Sequence, residues 1–240
     1  MKFSRQEVLI ASIHEFLKKS KTIAVGVLSP IPGAAALLAK ELSPDKKVFI
    51  LGSNHIEHKL THGVEIFNLA GQGRLDTFFL SGGQIDGKGN INLNGKGTEL
   101  NPTSRWSGAF GSAYLYFTVP NVILFKEKHT TEGLVDAVDF ISSPGTSRKE
   151  TFRIGGPTFL VTSLCNFKFN KRKQKFELIS LHKGVSLEEV LDNTGFEFDY
   201  DRNNIKIFSP HPKLLKLIRT KVKKRLFQIY PEFAQKFDNL

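Results

Sequence analysis

The sequence is poor in the features that mark disulfide-stabilised or membrane-spanning proteins. Its 240 residues include a single cysteine, Cys165, so an internal disulfide is excluded. The longest uninterrupted aliphatic run, Ala34 to Ala39, is far shorter than the roughly 20 apolar residues needed to cross a bilayer. Together with the lack of a signal-like start, this composition favours a soluble protein of the reducing cytoplasm with no membrane partner.

Several catalytic and metal-binding motifs are also missing. No Gly-x-Ser-x-Gly elbow occurs, and the spacing from Gly26 to Gly33 does not fit a Gly-x-Gly-x-x-Gly dinucleotide loop. His55, His58 and His62 would share one face of a helix, but they do not form the pattern of a zinc protease. Surface histidines are the favoured interpretation, and we expect no metal.

Positive charge is in excess, with a net charge of +11. Basic residues concentrate at 168–175 and again at 213–225, where apolar residues keep a helical period. The sequence therefore predicts an amphipathic C-terminal helix near 212–230 whose basic residues face solvent. We expect no nucleic-acid partner, because no recognised binding module is present. The basic excess also suits an anionic ligand such as a nucleotide-bearing cofactor.

The chain alternates between apolar strand-like runs and helix-forming segments. Residues 22–28 read as a buried strand, residues 29–33 as a Gly/Pro turn, and residues 34–42 as a helix. Residues 47–51 repeat the strand and are followed by a small polar turn. This order predicts an α/β protein, a single domain over 1–240 with an open, largely parallel sheet flanked by helices.

Other elements are predicted from periodicity and capping. Ser186, with Glu189 three residues later, is a plausible N-cap for a short helix that ends before Gly195. The remaining predictions are a helix at 5–19, strands at 77–80, 121–125 and 137–141, and a hairpin of 159–162 with 176–180 around a basic turn.

The stretch Ser81–Asn92 follows a strand and contains four glycines. Such a cluster indicates positive φ angles or backbone that lies close to another group. From composition alone the favoured interpretation is a tight turn between two strands, since Asp-Gly and Gly-Asn are ordinary turn pairs. The alternative is a ligand-lining loop, because ligands of open α/β sheets gather where strands end.

Four segments together resemble the B (β) subunit of family I CoA-transferases of the glutaconate CoA-transferase type. Ser81–Asn92 is similar to the family's Gly-Gly-x-Gln-Ile-Asp-x-x-Gly-Asn signature, and Arg105–Gly111 to its second glycine loop. The other two segments are Gly26–Pro44 and Val185–Phe196, the latter with its Asn-Thr-Gly-Phe string. The resemblance implies a CoA-transferase-like fold and an enzyme that acts on acyl-CoA.

The resemblance implies a nucleophilic glutamate that this sequence lacks. In the family a glutamate attacks the thioester and becomes a glutamyl-CoA thioester, supported by an oxyanion hole that includes a glycine-loop amide. The corresponding position here is Leu51, which cannot do this chemistry. Phe110 stands where a glycine is usual and is expected to narrow the acyl pocket. Residues 180–185 resemble the steroid-ring-opening acyl-CoA hydrolases, in which the B-type chain also lacks the glutamate.

Two functions remain open at this point. The first is a B-type subunit that forms an acyl-CoA site with an A-type subunit, in an α2β2 or larger assembly, with hydrolysis in place of transfer. The second is a non-catalytic scaffold subunit. The enzyme would hold no permanent cofactor and would use the coenzyme A thioester as substrate. Expected contributions are backbone amides of Gly108 and Gly111, and substrate contacts from Ser53, Asn54, Gly82, Gly83, Gln84, Gly89, Asn90 and Phe110. Asp86 is expected to hold the glycine turn.

Overall fold

The structure, a computed structural model, describes residues 3–60, 62–98 and 100–235. These residues form two compact units. The first contains the described residues up to Phe79 together with those from Ser209 onward, and the second runs from Leu80 to Phe208. The prediction of one domain over the whole chain stays a prediction, and each unit is described separately below.

The first unit is built on parallel strands covered by helices. Strand β1 lies between β2 and β3 and pairs with both in parallel. The elements of this part are α1 (Arg5–Glu15), β1 (Thr22–Val25), α2 (Pro30–Leu42), β2 (Lys47–Ile50), α3 (Glu65–Gly71) and β3 (Thr77–Leu80). Strand β1 is shorter than predicted because Leu28, at φ 53°, has left-handed backbone and is 85% exposed.

Helix α2 is the buried centre of the first unit. It begins at Pro30 and not at Ala34, because proline is tolerated in the first turn, where its missing N–H has no partner in any case. Its residues from Ile31 to Ala39 are all buried, as expected for a helix that is apolar on every side. The helix packs against α1 and against both β1 and β2.

The C-terminal segment of this unit is helical over the range in which the sequence predicts an amphipathic helix. Helix α6 (Pro212–Leu217) continues through a π-helical turn (Ile218–Val222) into α7 (Lys223–Ile229), and α8 (Pro231–Gln235) follows. Leu215, Ile218, Val222 and Leu226 are buried on one side. Among the basic residues, Arg219 does not face solvent alone, because it donates from Nη2 to the buried carboxylate of Glu7 at 2.9 Å.

The second unit combines parallel and antiparallel strand pairs. Its strands β8 to β12 are neighbours in that order; β8 pairs with β9 and β11 with β12 in parallel, whereas β9, β10 and β11 are antiparallel. The elements are β4 (Gln84–Ile85), β5 (Ile91–Asn92), β6 (Gly95–Gly97), β7 (Pro102–Arg105), α4 (Ser112–Thr118), β8 (Asn121–Lys126), β9 (Pro157–Thr162), β10 (Cys165–Asn170), β11 (Lys175–His182), α5 (Leu187–Asn193) and β12 (Lys206–Phe208).

Two predictions in this unit are wrong. Residues 137–141 form bends and no strand, because the segment runs over the surface with Ile141 60% exposed. The basic turn joins β10 to β11, and residues 159–162 belong to the strand on the other side of β10. The N-cap at Ser186 is confirmed, since its hydroxyl accepts from the Glu189 amide at 3.0 Å.

The α/β class with a largely parallel sheet flanked by helices is confirmed. In the part of the chain that the structure describes, no helix is both long enough and apolar enough to cross a membrane.

Two buried histidines lie in the core of the second unit. His129 contacts the hydroxyls of Thr162 and Thr194, at 2.7 and 2.8 Å from its two ring nitrogens. His182 donates from Nδ1 to the Ser163 carbonyl at 3.1 Å, while its Nε2 is buried without a partner among the described residues. Burial lowers the pKa of both side chains to about 4. Both rings are therefore neutral in the folded protein at pH 7.

These histidines predict a loss of stability in mild acid. The unfolded chain binds protons near pH 6.5 and the folded chain only near pH 4, so stability falls as pH drops through this window. Between pH 7.5 and 5 we expect each histidine to remove about 2 kcal/mol from the free energy of unfolding, measured by urea denaturation. In His182→Gln the free energy of unfolding should depend less on pH, whereas the exposed control His62→Gln should show the same pH dependence as the unmodified protein. An unchanged pH dependence in His182→Gln would contradict the conclusion that His182 is buried and neutral.

Candidate functional site

The glycine-rich stretch Ser81–Asn92 forms a tight hairpin in the second unit. Strands β4 and β5 pair antiparallel, with Gln84 opposite Asn92 and Ile85 opposite Ile91. The turn between them places Gly89 at φ 74°, a conformation that favours glycine. The favoured interpretation of the sequence, a turn between two strands, is confirmed.

The carboxylate of Asp86 holds this turn together. Its Oδ1 accepts from the backbone amides of Lys88 and Asn90, both at 3.0 Å, and its Oδ2 accepts from the Asn90 side-chain amide at 2.9 Å. Asp86 is only 5% exposed, so these bonds replace the water that the charge has lost. The structural role predicted for Asp86 is confirmed.

Gln84 and Asn90 direct their amide oxygens into the protein. The Gln84 oxygen accepts from the Asn92 side chain at 2.7 Å and from the Asp139 backbone amide at 3.0 Å. The Asn90 oxygen accepts from the backbone amide of Gly145 at 3.0 Å. Both residues therefore position neighbouring loops, and their roles in binding a substrate stay predictions.

Gly82 and Gly83 lie where a side chain cannot fit. A Cβ atom on Gly83 would lie 1.9 Å from the Trp106 ring, and one on Gly82 would lie 2.5 Å from Ile91. The carbonyls of both glycines accept from the ammonium of Lys126, at 2.8 and 3.1 Å. Burial, followed by the charge of Lys96, lowers the pKa of Lys126. Sequence reasoning missed Trp106 and Lys126 as supports of this turn, since Lys126 lies in no motif and the Arg105–Gly111 motif that contains Trp106 does not indicate what its ring contacts.

The second glycine loop leads into helix α4. Gly108 has φ 89° and its amide donates to the Leu93 carbonyl at 3.1 Å, so this amide must exchange that bond before it can serve an oxyanion. Gly111 is the N-cap residue of α4. Phe110 between them has left-handed backbone at φ 45° and is 89% exposed. A cleft of about 300 Å³ next to this loop is lined by Gly108, Trp106, Arg105 and Phe140 among others.

The remaining predicted residues belong to the first unit. Leu51 directly follows β2, is half-buried, and donates its amide to the Val25 carbonyl at 2.9 Å. Ser53 accepts from the backbone amide of His55 at 3.1 Å, and Asn54 is exposed. The alkyl side chain of Leu51 thus lies just after the strand, at the position where the sequence predicts the missing nucleophile.

Three ligand atoms in the first unit lie close enough together for a metal ion. Those of His55, Glu57 and His58 are all within 4.8 Å of one another, whereas His62 is not in this group. The segment is a turn and not a helix, so its histidines do not share a helix face as their spacing in the sequence suggests. His58 Nδ1 is 2.9 Å from the Val48 carbonyl, and burial lowers the pKa of His58. Glu57 is also 3.7 Å from the Arg225 guanidinium. The expected absence of a metal stays a prediction.

Comparison with known proteins places these features in a family context. A family model described as Coenzyme A transferase matches residues 9–193. The chain is 31% identical over 221 residues to the B subunit of 3-oxoadipate CoA-transferase from Pseudomonas knackmussii, covering 81% of this chain and 84% of that protein. It is also 31% identical over 153 residues to the B subunit of glutaconate CoA-transferase from Acidaminococcus fermentans, covering 60% of this chain and 56% of that protein.

A third relative is the IpdB subunit of a cholesterol ring-cleaving hydrolase from Rhodococcus jostii, 30% identical over 137 residues, or 55% of this chain and 53% of that protein. The chain thus spans a little over half the length of two of these three relatives. The predicted resemblance is confirmed.

Solved structures share the fold at lower identity. Glutaconate CoA-transferase from A. fermentans superposes with a TM-score of 0.80 at 22% identity, covering 94% of this chain and 96% of that one. The decarboxylase AibA/AibB superposes with a TM-score of 0.79 at 19% identity, covering 98% and 99%. These matches establish the architecture and not the reaction.

The bonds of Asp86 predict a strong effect of its removal. Asp86→Ala leaves the Lys88 and Asn90 amides and the Asn90 side chain without their acceptor, and we expect a loss of about 3 kcal/mol in the free energy of unfolding. Urea denaturation measures the loss. The exposed control Asp136→Ala should change stability by less than about 0.5 kcal/mol; equal effects of the two variants would contradict the role of Asp86.

The left-handed backbone of Phe110 predicts that glycine is more stable than alanine at this position, the reverse of the order inside a helix. Since φ is positive there, Phe110→Gly should be more stable than Phe110→Ala by about 1 kcal/mol in denaturant unfolding. At Tyr114, inside helix α4, the same pair should show the opposite order by a similar amount. Should alanine be the better residue at both positions, the left-handed backbone at residue 110 would be wrong.

Proposed function

Because this chain belongs to the coenzyme A transferase family, we propose that it is the B-type subunit of a heteromeric enzyme that acts on an acyl-CoA thioester together with an A-type subunit. Two of the supporting relatives are themselves named as the B-type chain of a CoA-transferase, and the third as part of a hydrolase. An α2β2 or larger assembly is part of the proposal. The substrate enters as the CoA thioester, and the proposal includes no permanently bound cofactor.

The observation that carries the choice of reaction is Leu51, the residue that directly follows β2. A hydrocarbon side chain has no lone pair with which to attack a thioester, so a glutamyl-CoA thioester does not form at Leu51. We therefore propose hydrolysis: water adds to the thioester carbonyl, the carbon–sulfur bond breaks, and the departing CoA thiolate takes up a proton. In this proposal the A-type subunit supplies the acidic residue that activates the water. The acyl group is proposed to be cyclic or ring-derived.

The second unit is proposed to contribute backbone and shape to the substrate site. The turn that carries Gly82, Gly83, Gln84, Gly89 and Asn90 is held rigid by buried hydrogen bonds. Such rigidity lets backbone donors meet developing charge without reorganisation.

The amides of Gly108 and Gly111 are the proposed oxyanion donors, with the Gly108 amide exchanging its bond to Leu93 on binding. Phe110 narrows the space for the acyl group, since its exposed ring replaces a hydrogen atom. In the first unit, Ser53 and Asn54 follow β2 and are proposed as further polar contacts to substrate.

The absence of a nucleophile at Leu51 also favours a second candidate function. A subunit without its own reactive group can act purely as a non-catalytic scaffold that stabilises its partner. The two functions differ in one respect: a scaffold tolerates changes in its glycine loops that leave folding intact, whereas a subunit that lines the site does not.

The test uses this chain purified together with an A-type subunit. With an acyl-CoA and no acceptor acid, we expect steady release of free CoA, detected by a thiol reagent, and no exchange of CoA onto added carboxylates. Borohydride should trap no glutamyl thioester on this chain. The variant Leu51→Glu restores a carboxylate and should give the trapped adduct, whereas the matched variant Leu51→Gln should not.

Two outcomes would overturn the proposal. Robust exchange with a trapped adduct on the unmodified chain would contradict the loss of the nucleophile. CoA release that is unaffected by Gly111→Val, in a complex that still assembles, would leave only the scaffold function.

A further inference from the structure

The second unit contains a positively charged cleft that the roles above do not use. It has a volume of about 210 Å³ and lies between the loop that follows Ser143 and the basic turn after β10. We call it the basic cleft, defined by Arg148, Lys149, Arg153 and Lys171. The hydroxyl-bearing residues Thr146 and Ser147 also line it. Among the residues that the structure describes, no aspartate or glutamate lines the basic cleft.

The guanidinium of Arg153 is fixed in place by neutral groups. It donates to the Pro144 carbonyl at 2.8 Å, to the Tyr116 carbonyl at 3.1 Å and to the Ser147 hydroxyl at 3.2 Å. It also lies 5.3 and 5.5 Å from the ring centroids of Tyr116 and Phe117. No carboxylate of the described residues pairs with it, so its charge is oriented but not neutralised.

Lys171 adds a second cation held in the same way. Its ammonium donates to the carbonyls of Ile154 and Gly155, at 3.0 and 3.3 Å. Burial, and next the positive charge of Arg153, lower the pKa of Lys171. Burial also lowers the pKa of Arg153. An anion in the basic cleft would offset the repulsion between these two groups.

Arg148 and Lys149 supply charge that is free to move onto a ligand. Both side chains are exposed at the rim of the cleft, where an unbound cation is solvated at little cost. The basic cleft thus combines two oriented cations, two adaptable ones and hydroxyl donors. This set matches a phosphate group, which offers several acceptor oxygens in different directions.

The wall of the basic cleft is attached to the glycine turn of the same unit. The amide of Gly145, which lines the cleft, donates to the Asn90 side chain at 3.0 Å. A Cβ on Gly145 would lie 2.2 Å from the Lys88 carbonyl, so the two backbones are in close contact. The rigid turn therefore fixes one edge of the cleft.

We propose that the basic cleft binds a phosphate-bearing anion and that this anion is a phosphate of the nucleotide end of the CoA thioester. The second part rests on the proposed function, since only that function brings CoA to this chain. The first part rests on the four cations and their lack of acidic partners.

The test measures binding by calorimetry to the full chain in a phosphate-free buffer. The probes are adenosine 3′,5′-bisphosphate, which carries nucleotide phosphates without an acyl group, inorganic pyrophosphate, and adenosine as the uncharged comparison. Binding is measured in the double variant Arg148→Gln/Lys149→Gln and in Lys171→Gln. The matched control Arg172→Gln/Arg202→Gln removes two exposed cations that do not line the basic cleft.

We expect the bisphosphate to bind and adenosine not to bind. The affinity for the bisphosphate should fall about tenfold or more in each cleft variant, since each variant loses at least one charge-assisted hydrogen bond to phosphate. The control should weaken binding by less than about twofold, because these two exposed cations do not line the cleft and are screened by salt.

Each other outcome overturns a defined part of the proposal. Equal affinities in the cleft variants and the control would reject the anion site. Binding of pyrophosphate without the bisphosphate would assign the cleft to a free phosphate and reject its role for CoA. If the bisphosphate binds as expected while the complex releases no CoA from acyl-CoA, the proposed function fails and the anion site stands.

Discussion

The buried carboxylate of Asp86 is the constraint on which the arrangement of the second unit depends. A charge that is 5% exposed must be satisfied by the protein, and the donors available to it are the amides of the turn that follows. Three bonds to Lys88 and Asn90 fix that turn. Asn90, once fixed, holds Gly145 through its own side-chain oxygen. One carboxylate thereby sets the position of two loops that lie 55 residues apart in the sequence.

The chemistry proposed for this chain depends as much on a missing group as on those present. In the proposed function, Leu51 stands directly after β2, where the family's nucleophilic glutamate is expected, while the glycine loops are present. A chain with these loops and without that reactive side chain can still orient a thioester. The proposed hydrolysis and the proposed phosphate site both assign this chain the work of binding and orientation, and leave activation of water to a partner.

Sequence patterns predicted the regular elements well where burial is uniform. They predicted them poorly where backbone groups bond to a distant loop and not to a neighbouring strand. The strand at 77–80 and the helix capped by Ser186 follow from local composition and capping. Residues 137–141 look equally apolar and yet form no strand. Their neighbourhood bonds to the glycine hairpin instead, as the Asp139 amide donates to Gln84. No local rule detects such a tertiary partner.

The sequence by itself determined the α/β class and the family, and it predicts the loss of the nucleophile at Leu51, because each rests on contiguous residues. Tertiary structure decided where the polar groups point. Gln84 and Asn90 could equally have faced a ligand, and only folding shows that their oxygens accept from Asp139 and Gly145. The basic cleft arose in the same way, since Arg153 and Lys171 come from segments on either side of β9 and β10. Folding brings their positive charges together in one cleft, and the order of residues along the chain does not show that they are neighbours.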